Sequence, residues 1–160
     1  MWRDMIGALE SLAEAYERLV AIGKAKRDTL VAIDMKRLEK LLDAEQTVLD
    51  EIQQLENGRQ KILKSLSEKE PKLRPEMTMQ EVLAVSPGEI RPQLKGIHKK
   101  LDDVVAQAKT VSGDNAFLIQ GALSAVSYHL NRLSNAEVEQ GYGQRGQEIV
   151  TRQKKFDFQA

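Results

Sequence analysis

At 160 residues the chain has room for one domain, or one domain and a tail, and its 24 Lys+Arg balance 24 Asp+Glu to a formal net charge of zero. Charged residues at 30% and aromatics at 4% favour long helices with polar faces over an aromatic small-molecule pocket, and zero net charge argues against a general binder of nucleic acid or acidic membranes. The absence of cysteine excludes disulfides, thiol catalysis and thiolate metal sites, and fits a reducing compartment.

From the start, Met1-Trp2-Arg3-Asp4 leads straight into an amphipathic pattern, Met5, Leu9, Leu12, Tyr16, Leu19, Gly23 and Leu30. This is a helix buried on one face, and it reads as neither a signal peptide nor a membrane span, because no apolar run approaches about 18 residues. The helix ends near Ala32. Asp34 is placed to cap the next helix, with Ile33 stapled onto Leu38. The second stripe is Leu38, Leu41, Glu45, Val48, Ile52, Leu55, Arg59, Ile62 and Leu66, widened by Leu42, Leu49 and Leu63. So short a join predicts an antiparallel hairpin; a single bent rod is the competing geometry.

All four prolines, at 71, 75, 87 and 92, fall between Glu68 and Pro92, which marks the crossover connection. Within it Thr78-Met79-Gln80-Glu81 is a capping-box sequence with Met77 and Val82 set as a staple, so a short helix is expected from Met79 to Ala84. The third long helix keeps the strictest rhythm. Ile90, Leu94, Ile97, Leu101, Val104, Ala108, Val111, Asn115, Leu118, Ala122, Ala125 and His129 alternate in steps of four and three. Ser112-Gly113 is the one point where a kink could enter, but the count runs through it without a skip, which favours one continuous helix. The single polar seam residue before His129, Asn115, reads either as a register-fixing residue or as one that faces a partner helix. After Asn135 the periodicity fades. The expectation is therefore an all-α antiparallel bundle of three long helices with a short crossover helix, a bundle domain over 1–136 and a flexible C-terminal tail over 137–160.

Few motifs point to chemistry. Gly141-x-Gly143-x-x-Gly146 matches the dinucleotide fingerprint in letters, but no strand precedes it and the chain ends before the expected acid, so it reads as a turn. A di-iron bundle needs Glu-x-x-His on two helices, whereas Lys95 and Val126 stand three before His98 and His129. We therefore expect no metal, no cofactor and no enzyme activity, with His98 on the surface and His129 in the seam. Phe156 and Phe158, behind Lys154-Lys155, are two of the three phenylalanines in the chain, and they suggest a tail that docks.

Taken in order, three stretches resemble the FlgN-type flagellar export chaperones. Glu45-Gln46-Thr47-Val48-Leu49-Asp50-Glu51-Ile52-Gln53-Gln54-Leu55-Glu56-Asn57-Gly58-Arg59 is similar to their second helix, Asn115-Ala116-Phe117-Leu118-Ile119-Gln120-Gly121 to their Asn-x-x-Leu-Leu stretch, and Tyr142-Gly143-x-x-Gly146-Gln147 to their tail motif. The resemblance implies a cytoplasmic, non-enzymatic chaperone of the type III export system that holds hook–filament junction proteins by their C-terminal amphipathic helices. On that reading Asn115, Phe117, Leu118, Ile149, Val150, Phe156 and Phe158 bind the client, and Tyr142 docks on the cytoplasmic domain of the export gate. Gln144-Arg145 departs from the small residue and acid usual there. A self-associating coiled-coil protein without a client is the alternative, and a homo-oligomer is compatible with both; nucleic acid and membrane insertion are expected in neither.

Overall fold

The computed structural model describes the backbone of residues 1–142 and the side chains of residues 1–138. Four helices follow one another, α1 (Trp2–Ala32), α2 (Met35–Ser67), α3 (Met79–Val85) and α4 (Arg91–Tyr142), and no strand occurs among the described residues. The chain divides into two compact units, Met1–Asn115 and Ala116–Ala160, and α4 supplies residues to each. The all-α bundle of three long helices with a short crossover helix is thus the observed architecture, and α4 is continuous through Ser112 and Gly113.

α1 and α2 form the antiparallel hairpin. Their register is marked by Arg18 forked on Glu51 (2.9 and 2.6 Å) and by Lys26 Nζ donating to both oxygens of Glu45 (3.0 and 2.8 Å). The reversal takes two residues. Ile33 adopts the left-handed region at φ 56°, and the N–H groups of Ile33 and Asp34 both reach the Thr29 carbonyl. Asp34 then caps α2 by accepting from the Arg37 N–H at 3.1 Å, which satisfies one of the orphan donors of a helix start. The expected staple of Ile33 onto Leu38 is not made. The tight turn spends Ile33 on its left-handed position and leaves the side chain 76% exposed, a conformation that costs an L-residue about 1–2 kcal/mol.

At the open end of the hairpin the crossover closes the core. Met5, Ile6 and Leu9 of α1, Leu63 and Leu66 of α2, Leu73 of the connection, Val82 of α3 and Leu94 of α4 form one buried cluster, in which each large side chain contributes about 1.5–3 kcal/mol. α3 is short enough to need its caps. Thr78 N–H donates to Glu81 Oε2 at 2.7 Å while Glu81 N–H donates to Thr78 Oγ1 at 3.4 Å, and Met77 packs against the same cluster as Val82. Within the first unit α4 runs parallel to α1 and so antiparallel to α2, with Lys100 on Glu17 at 2.9 Å and Asn115 on Gly23 at 2.8 Å. A second cluster, Leu12, Ala15, Val48 and Ile52, fills the middle of this unit.

Candidate functional site

Above the second cluster the interior of the first unit turns polar. Lys26 and Glu45 pair with little exposure, Thr29 Oγ1 donates to the Lys26 carbonyl at 2.7 Å, and Asn115 is only 3% exposed. Asn115 Nδ2 donates to the Gly23 carbonyl, and its Oδ1 is buried without a partner. Gly23 is needed for the approach of the two helices: a Cβ built on it would lie 2.5 Å from Val111 Cγ1. Asn115 thus points at α1 and sets the register of α4 at the last residue of the first unit.

The second unit has a different character. From Asn115 to Ala136 the only formal charge is Arg132, in a chain that is 30% charged. This helical stretch nevertheless leaves its large apolar residues to solvent. Ile119, Leu123, Val126 and Leu133 are exposed, with Leu130 half-buried between them, and their spacing of four, three, four and three places them on one stripe. Phe117, 80% exposed, and Tyr128 fall on the opposite side of the helix by the same period. Tyr128 meets His129 edge to face at 5.6 Å and borders a shallow cleft of about 390 Å³ with Asn131, Arg132, Asn135 and Ala136.

A groove of about 370 Å³ opens in the first unit over Leu9, Leu12, Tyr16, Ile52, Leu101 and Val105. Its lip carries Arg59 forked on Glu56 (2.8 and 2.6 Å), which holds the Glu56 carboxyl below the ordinary carboxylate range. His98 lies half-buried on the opposite lip with Nε2 3.3 Å from Asp102, in place of the surface position expected for it. No cluster able to hold a metal occurs among the described residues.

The model of the FlgN protein family matches residues 1–148. The chain belongs to the FlgN family. It is a flagellar export chaperone of a family that is not enzymatic and whose clients are flagellar hook-associated proteins. No curated protein and no solved structure matches it. No helix among the described residues is long and apolar enough to cross a membrane.

In this FlgN chain the residues named from sequence are placed unequally. Asn115 is buried, Phe117 stands in solvent and Leu118 is half-buried. Tyr142 is the last residue of α4, with its side chain outside the described residues, and Ile149, Val150, Phe156 and Phe158 lie outside them altogether. The seam expected at Leu118, Ala122, Ala125 and His129 is not a buried one, since Ala122, Ala125 and His129 are exposed. Sequence reasoning passed over the neighbouring stripe of Ile119, Leu123, Val126, Leu130 and Leu133. Its larger side chains and the missing charges were the available signal, set one residue out of phase with the rhythm of the first half of α4.

Proposed function

We propose that the C-terminal half of α4 binds the terminal amphipathic helix of a hook-associated client, keeps it from assembling early and hands it to the export gate in the cytoplasm. The observation that carries this reading is the nearly uncharged, solvent-facing helix from Ala116 to Ala136. An amphipathic client helix supplies i, i+3, i+4 and i+7 anchors for such a stripe. On this reading the client helix lies along the stripe from Ile119 to Leu133 with Leu118 flanking it, while Phe117, on the opposite side of α4, stands outside that contact; Asn115 holds the base of the stripe in place, Ile149, Val150, Phe156 and Phe158 close over the client, and Tyr142 docks on the gate's cytoplasmic domain. Ordering a tail on binding lowers affinity per unit area, which suits cargo that must be released.

The test is capture of purified hook-associated proteins by the wild-type chain, by the double variant Leu123→Gln/Val126→Gln and by a chain ending at Ala136. Both changes should abolish or strongly weaken capture, and in the double variant the helical circular dichroism and melting temperature should stay close to wild type, because Leu123 and Val126 are exposed. Undiminished capture by both would overturn the assignment. The same exposed stripe also fits self-association; a concentration-dependent dimer in sedimentation velocity that vanishes in the double variant, without client capture by the wild type, would favour that second reading.

A further inference from the structure

α2 is too apolar for the surface it covers. Its core-facing residues, Val48, Ile52, Leu63 and Leu66, are buried, yet Met35, Leu42 and Leu49 remain 53, 47 and 42% exposed. These three are spaced by seven, so they form a straight ladder along one edge of the helix, about 20 Å long. Nothing among the two core clusters covers them.

Beside the ladder runs a row of acids. Glu39, Asp43 and Asp50 are exposed and, with Gln46, follow the same rhythm of four, three and four, one row outward from Met35, Leu42 and Leu49. None of the three has an ion-pair partner among the described residues; Asp50 only accepts from Gln46 Nε2 at 2.9 Å. Lys36 and Lys40 occupy the next rows out and stay beyond ion-pair distance of the acids. Glu39 and Asp43, four apart, repel each other on the helix. An exposed apolar ladder edged by unpaired carboxylates is the pattern of one side of a helix–helix seam, in which flanking charges choose the partner.

We propose that this edge of α2 is a second helix-docking surface, and that its partner is an amphipathic helix whose apolar stripe is flanked by lysine or arginine. A second copy of the same edge does not fit, because two acidic rows would face each other. The near-uncharged stretch of α4 does not fit either, since it offers only Arg132. This inference rests on the helix-binding chaperone reading above and adds the partner's chemistry to it.

Two synthetic helical peptides of about 20 residues, identical in their leucine stripe but flanked by lysines in one and glutamates in the other, are titrated onto the full chain by fluorescence anisotropy. The lysine peptide should bind roughly tenfold more tightly, the order that three exposed ion pairs supply, and the preference should shrink as salt is raised. E39K/D43K/D50K should cancel or invert it, and Leu42→Gln/Leu49→Gln should weaken both peptides, with helicity unchanged. Equal binding of the two peptides, no binding of either, or a preference untouched by the triple variant would overturn the proposal. If Leu123→Gln/Val126→Gln retains client capture while the peptide preference holds, the α4 site fails and the α2 surface stands. Indifference to peptide charge, with client capture lost in the α4 variant, leaves the α4 site standing and removes the α2 surface.

Discussion

At Gly23 a single missing methyl group decides how closely α1 and α4 approach. An added Cβ would sit 2.5 Å from Val111 Cγ1, which is close to its own backbone and cannot swing away, so overpacking of about 1–3 kcal/mol outweighs the roughly 1 kcal/mol that alanine gains over glycine in a helix. Gly23→Ala should therefore lower the unfolding free energy in urea by about 1 kcal/mol. Gly113 has open space around its Cα, and Gly113→Ala should raise stability by a similar amount; equal effects at the two sites would show that the approach is looser than described. Asn115 was legible as a register residue because it is polar in an apolar rhythm. Its partner, a backbone carbonyl on Gly23 far away in the chain, was not, because spacing along one helix carries no information about which atom of another helix stands opposite.

At the scale of elements, α3 is held by its ends. Its capping box and the Met77 and Val82 pair were readable in four consecutive letters and their flanks, since such contacts are local. The Thr78 backbone N–H, then the Thr78 hydroxyl, hold the Glu81 carboxyl below its usual 4.5. A carboxyl depressed in the folded state adds stability that is complete above its unfolded value and is lost as pH falls through the folded one. Amide-exchange protection across α3 should accordingly be steady from neutral pH down to about 4.5 and decline below it. Glu81→Gln preserves the box but does not titrate, and should flatten that decline; an acid-side loss of protection identical in the variant would assign it to some other group. The turn between α1 and α2 shows the opposite case. Its hairpin followed from the short join, but the staple on Ile33 gave way to the left-handed conformation that a two-residue reversal requires.

At the scale of the molecule, the buried apolar residues among those described lie at or before Val104 and the buried polar ones at or before Asn115. A chain ending at Asn115 should then keep cooperative thermal unfolding, with a melting temperature within about 5 °C of the full chain, while losing capture of hook-associated proteins. A broad, non-cooperative melt would mean that the first unit draws stability from residues beyond it. Three long amphipathic patterns, four clustered prolines and one capping box were enough for the sequence to determine an all-α bundle with its hairpin and crossover, because periodicity and caps are properties of a segment alone. Only the tertiary structure decided which apolar stripes remain open, on the edge of α2 from Met35 to Leu49 and along α4 from Ile119 to Leu133. A stripe in the sequence states that a face is apolar; whether that face is buried depends on what packs against it.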